Sequence, residues 1–196
     1  MPRPKTQSDE AVLATALALM TERGPEALTF ASLAERCGLS GATLVQRFGN
    51  KVELKRSALL HAWDRLDEET VRLAEAVPRT PDGAIEMLVG LSAQYGEIEG
   101  YADTLRLLRE DLRDPVLRSR GVAWMETLRR ALGACFADTP DLPESAGLIL
   151  ATQWQGSLLW WSFDPSRRIE LHVRESLRGF ISFMRESRTR AASPER

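Results

Sequence analysis

Fifteen residues near the start of the chain, CGLSGATLVQRFGNK (37–51), gather three glycines, two hydroxyl side chains, two amides and two cations. Thr and Gln hydrogen-bond nucleobase edges, Arg takes guanine or phosphate, and Lys neutralises phosphate. Gly41 and Ala42 are small enough to let a helix start approach such a partner closely. Elsewhere the chemistry is thin. His61 and His172 stand far apart, and Cys37 and Cys135 fit no metal spacing. There is no HExxH, no phosphate-cradling glycine loop, and no Ser or Cys with a recognisable base. Carboxylate pairs such as Glu68–Glu69 and Asp111–Asp114 fit solvated helix faces. No cofactor or metal is expected, and an all-α enzyme is the weakest of the available readings.

Bulk properties agree with a soluble globular chain. Of 196 residues, 43% are hydrophobic and 28% charged. No apolar run approaches the ~20 residues of a membrane span. The start, MPRPKTQSDE, is polar and lacks the apolar segment of a secretory signal, so the expected location is cytoplasmic with reduced thiols. The net charge is −2, yet residues 1–60 carry eight Lys/Arg against six Asp/Glu, and the excess reverses beyond them. That asymmetry points weakly to an anion-binding N-terminal part.

The elements that must position the polar cluster all read as helices, about nine of them. Period-2 alternation and hairpin turns are missing. Ser8 with Asp9 and Glu10 opens a helix whose stripe is Val12, Leu13, Ala16, Leu17 and Met20, and Gly24-Pro25 closes it. Thr29 and Asn50 cap later helices, the latter running from Lys51 to about Val77. Thr80-Pro81, Asp114-Pro115 and Asp164-Pro165 predict helices starting near 81, 115 and 165, because Pro suits a first helical position. Further helices are expected over about 101–112 and 144–162, with a tail from Arg185 that frays.

Residues 30–49 have the spacing of a helix-turn-helix. Ala34 allows close crossing, Gly38 turns the chain, and Leu44 faces back into the crossing. Leu33, Cys37, Leu39 and Phe48 fill the interior, and Ser40 caps the second helix. Gly41, Ala42, Thr43, Gln46 and Arg47 are left outward, with Lys51 at the positive end of the next helix.

At this point LTFASLAERCGLSGATLVQRFGNKVEL (28–54) resembles the N-terminal signature of tetracycline-repressor (TetR) family transcription regulators. The resemblance implies an all-α fold: a three-helix helix-turn-helix domain over 1–56, then a helical ligand-binding and dimerisation bundle over 57–196. It implies a ligand-responsive regulator, in most cases a repressor, that binds a palindromic operator as a homodimer. Carried over, Thr29, Ser40, Thr43 and Lys51 would touch the DNA backbone, and Gly41, Ala42, Gln46 and Arg47 would lie at or near bases. Val45 departs from the pattern, which has a phosphate-binding Tyr there. Val cannot donate, and the lost bond is worth about 1.5–3 kcal/mol per half-site. Arg47 or the arm PRPKT, with Lys51, Lys55 and Arg56 near, would compensate. The rival reading is a dimeric small-molecule-binding protein whose DNA affinity has decayed.

The remainder carries apolar stripes suited to a bundle. The last two helices are apolar on more than one face, and Gly147, Ala151 and Gly156 permit close approach, so a homodimer is expected through them. Four of the five Trp cluster at 124, 154, 160 and 161. Met87, Tyr95, Trp124, Met125, Leu128, Trp154, Ser157 and Trp161 are candidates to line a pocket for a small apolar or aromatic effector, with Ser92, Gln153 and Gln155 as further polar anchors.

Overall fold

The computed structural model describes residues 7–143 and 145–192, and among these the chain is all-α. Its helices are α1 (Asp9–Arg23), α2 (Phe30–Cys37), α3 (Gly41–Phe48), α4 (Lys51–Ala76), α5 (Pro81–Ala93), α6 (Ile98–Arg113), α7 (Pro115–Phe136), α8 (Ala146–Phe163) and α9 (Ile169–Ala192), with a 3-10 turn at Pro25–Ala27. The helix starts follow the capping chemistry. Ser8 accepts from the Ala11 amide, and Thr29 forms a reciprocal capping box with Ser32. Ser40 accepts from the Thr43 amide, and Asn50 accepts from the Val52 and Glu53 amides. Thr80 accepts from the Gly83 amide, with Pro81 at the first helical position.

Asp164-Pro165 behaves differently from its two counterparts. The Asp164 carboxylate accepts from the Ser166 amide at 3.3 Å, and the chain turns through 165–168 before α9 starts at Ile169. Asp-Pro marks a turn as readily as a helix start, and here the Trp161 indole donates to the Arg167 carbonyl at 2.8 Å and holds that turn. The C-terminal helix also outlasts its expected end: Met184 is buried, Arg185 pairs with Asp141 at 2.8 Å, and the helix continues to Ala192.

The chain forms two compact units, one comprising the residues up to Leu66 with Asp103–Ala123, the other Asp67–Ala102 with the residues from Trp124 onward. The first is built on a core of Val12, Ala16, Leu19, Met20, Leu28, Leu33, Leu44, Leu54, Ala58 and Leu59, with Leu117 of α7 added to it. In the second, α5, α8 and α9 pack together. Ile169, Val173, Leu177 and Ile181, four apart, give α9 a buried face, and α9 packs on α5, which buries Ile85, Leu88 and Leu91, and on α8, which buries Leu150, Trp154 and Leu158. Gly147 serves this packing: an added Cβ would come within 3.1 Å of Leu132 and Gly133, so the helix it admits is α7 of the same chain. Gly156 meets nothing within 4 Å. Both cysteines are free and buried. No helix among the described residues is long and apolar enough to cross a membrane.

Candidate nucleic-acid interface

The polar cluster is carried by α2, α3 and the start of α4. Gly38 takes the left-handed conformation, φ 65° and ψ 25°, and its amide closes α2 on the Ala34 carbonyl. Two residues later Ser40 starts α3. Leu44 is fully buried and Phe48 partly so, which aims the opposite face of α3 at solvent. Ala42, Val45 and Gln46 form that face, three and four residues apart, and Val45 is 46% exposed. Gly41 has open space where a Cβ would stand, so nothing inside the unit requires it to be small.

The hydroxyls are tied locally. Ser40 and Thr43 oxygens lie 2.8 Å apart at the helix start, and Thr29 and Ser32 share the start of α2. Thr29 and Ser40 remain exposed, and each hydroxyl keeps further hydrogen-bonding capacity. Lys51, exposed at the start of α4, donates to the Glu26 carbonyl at 3.2 Å and lies 3.5 Å from the Glu26 carboxylate.

The remaining cations are committed elsewhere. Arg47 donates through Nε to Asp9 at 2.6 Å and through Nη2 to the Gln7 carbonyl at 2.9 Å, and its guanidinium lies over the Phe48 ring. Its side chain is only 21% exposed. Lys55 is 2.5 Å from Glu110, and Arg56 is 2.7 Å from Asp114 and 2.8 Å from Glu53. The Arg56 guanidinium holds the Asp114 carboxyl below its usual range, as expected of a formed ion pair. Neither Lys55 nor Arg56 is therefore the spare phosphate contact that its position in the sequence suggested. The arm residues 2–6 lie outside the described residues. Sequence spacing carries no signal for the Arg47–Asp9 contact, which joins residues 38 apart.

Asp111, expected on a solvated face, is instead buried on α6 and accepts a hydrogen bond from Trp63 Nε1 of α4 at 3.1 Å. Burial, with Glu110 and Asp114 adjacent, pushes its carboxyl up to about 6 despite that bond.

In the second unit the tryptophan candidates are core residues whose indole nitrogens are satisfied, and Tyr95 is half-buried. Met87, Trp124, Leu128, Trp154, Ser157 and Trp161 are buried. Trp154 Nε1 donates to Ser92 at 2.8 Å, Trp124 Nε1 to Thr70 at 2.9 Å, and the Ser157 hydroxyl to the Trp154 carbonyl. Tyr95 stands edge-on to Tyr101 at 5.2 Å, which in turn stands edge-on to Trp161 at 6.2 Å; burial pushes the Tyr95 phenol up to about 12. Met125 is apart from this group, 58% exposed on α7. A cleft of about 460 Å³ opens between α8 and α9, lined by Gln153, Gly156, Ser157, Trp160, Arg167, His172, Glu175 and Ser176. Of the eight pocket candidates it takes only Ser157. Trp160 sits on the solvent side of α8, 74% exposed, with its ring 6.3 Å from that of Phe163. Among the described residues no group of three His, Cys, Asp or Glu is placed to hold a metal ion.

Comparison with known proteins agrees with this geometry. Residues 12–58 match the family of bacterial regulatory proteins, tetR family. No curated protein sequence matches the chain. Among solved structures, the TetR family transcriptional regulator PfmR from Thermus thermophilus is similar at 23% identity and a TM-score of 0.60, over 85% of this chain and 94% of that one. A transcriptional regulator from Rhodococcus sp. Rha1 is 19% identical with a TM-score of 0.68, over 91% of this chain and 98% of its own. One from Saccharomonospora viridis, solved in complex with choline, is 19% identical with a TM-score of 0.69, over 89% and 97%. At these identities the likeness is one of fold.

Proposed function

We propose that this chain, whose residues 12–58 match the tetR family of bacterial regulatory proteins and whose fold is that of the solved regulators above, is a homodimeric repressor released from a palindromic operator by a small molecule. The observation that carries the DNA-binding part is the solvent-facing stripe Ala42–Val45–Gln46 on a helix capped by Ser40, with Lys51 beside it. Thr29, Ser40, Thr43 and Lys51 would meet phosphates, and Gly41, Ala42 and Gln46 would approach bases. Two copies place two such helices about 34 Å or a multiple apart, which suits a palindrome.

The dimer reading is supported by the outer face of the last two helices. Leu148, Leu159, Trp160 and Phe163 on α8, with Phe183 on α9, are each about half exposed or more. A patch of that apolarity suits a partner of the same kind. For the effector, the buried set around Trp154 and Trp161 and the α8–α9 cleft are the two candidate seats, and the choline complex of the Saccharomonospora relative supports a small organic ligand. A ligand among the buried aromatics displaces core contacts, so binding there is coupled to rearrangement. The α4 helix is continuous from Lys51 to Ala76 and contributes to both units, which suits it to carry that change. Its effect is bounded by the ligand's differential affinity for the two states, about 1–3 kcal/mol of coupling.

Selection of bound sites from random DNA tests the reading. A palindrome should emerge, and Gln46→Ala should change the preference at particular positions of it. Recovery of no preferred sequence would defeat it. The second reading, a dimeric ligand-binding protein with decayed DNA affinity, is favoured by the commitment of Arg47, Lys55 and Arg56 to carboxylates.

A further inference from the structure

We propose that α3 reads A·T base pairs through an uncharged stripe, and that Val45 is a specificity residue that seats against a thymine methyl group. The proposal rests on the DNA-binding reading above and names the chemistry of its partner.

Three observations converge on it. Val45 is 46% exposed, on the solvent-facing side of α3 that it shares with Ala42 and Gln46 and away from the flank that carries Arg47. Packing does not explain it, because Leu44 and Phe48 supply the inner face. Second, the cation of this helix is withdrawn from the stripe. Arg47 lies on the flank nearer Leu44, only 21% exposed, and it is held by Asp9 and the Gln7 carbonyl. A guanine contact would break two charge-assisted bonds first. Third, Gly41 faces open space, so the start of α3 can come close to a base edge without a side chain in the way.

What is left to read a base edge is one amide and two small apolar groups. Gln pairs in two-pronged fashion with adenine N6 and N7, and apolar groups contact the thymine C5 methyl. Both features lie on the major-groove edge of one A·T pair or of neighbouring pairs. Val45 offers two methyl groups and no donor, so it is unsuited to phosphate and well suited to that methyl.

The experiment uses the full chain. Sites are selected from random DNA, and each thymine in the enriched half-site is then replaced by deoxyuridine, which keeps pairing and removes only the C5 methyl. The expected result is an A·T pair in each half-site at which deoxyuridine weakens wild-type binding about fourfold, the value of burying one methyl. Val45→Ala should bind the thymine site more weakly and lose most of that sensitivity. Because the first perturbation is in the DNA, it is independent of whether a variant folds. Deoxyuridine that is neutral at every position would overturn the proposal. So would half-sites anchored on guanine whose preference disappears in Arg47→Ala. Specific binding without methyl sensitivity sinks this inference alone, whereas absence of any enriched sequence sinks the DNA-binding reading with it.

Discussion

Replacing Asp111 by Asn should stabilise the protein, and more at pH 7.5 than at pH 5. Asp111 is 9% exposed, with its carboxylate beside the Trp63 indole, and Trp63 itself packs against Gly121, where an added Cβ would come within 3.4 Å. Burial chiefly, then the neighbouring Glu110 and Asp114 charges, raise its pKa from 3.8 to about 6, the single bond from Trp63 opposing them. A folded-state pKa above the unfolded one means the native state binds the extra proton, so stability falls as pH rises through the window from about 4 to 6. At pH 7.5 the ionised group costs about 3 kcal/mol as a ceiling, and the part recovered by wild type at pH 5 is on the order of 1 kcal/mol. An amide oxygen accepts the same indole hydrogen bond without charge. Urea unfolding of both proteins at the two pH values measures the difference, and the gap between them should narrow by on the order of 1 kcal/mol on acidification. A gap that stays constant or widens at pH 5 would refute the reasoning and show that the indole bond to the carboxylate outweighs burial.

Three other perturbations probe the same assembly. Thr29→Ala removes the capping box on α2 and should cost about 1 kcal/mol in thermal or urea unfolding; a change under a few tenths would mean the cap is dispensable. Lys51→Ala should weaken all DNA sequences alike and reduce the slope of log K against log salt by about 0.9, as one lost phosphate contact requires. Trp160→Ser with Phe163→Ser, both on the exposed face of α8, should leave the helical circular dichroism intact and shift sedimentation from dimer toward monomer; an unchanged sedimentation profile would place the interface elsewhere.

The helix boundaries were readable at most capping side chains, Asp164-Pro165 being the exception that marked a turn instead of a helix start. Ser8, Thr29, Ser40, Asn50 and Thr80 each accept the amides their positions imply. The Ala34–Gly38–Leu44 spacing likewise places the crossing of α2 and α3, because small residue, positive φ and buried Leu are local demands. What local pattern could not carry was pairing at long range. Arg47 with Asp9, Lys55 with Glu110 and Arg56 with Asp114 join residues 38 to 58 apart, and a charged residue looks the same in sequence whether it faces water or a partner. Asp111 shows the same limit: its neighbours Glu110 and Asp114 made it resemble a solvated face, and only the approach of Trp63 buries it. Trp154 and Trp161 share a spacing that suits a pocket wall or a core, and their indole hydrogen bonds to Ser92 and to the Arg167 carbonyl show them packed within the unit.

Binding of the full chain to its selected palindrome, followed by fluorescence anisotropy between about 50 and 200 mM salt as in typical protein–DNA titrations, addresses the DNA-reading role of α3 most directly. Affinity should fall steeply with salt, log K losing about 0.9 for each phosphate neutralised, and a scrambled duplex should bind far more weakly at every point. Binding that is flat with salt and equal for the scrambled duplex would contradict it.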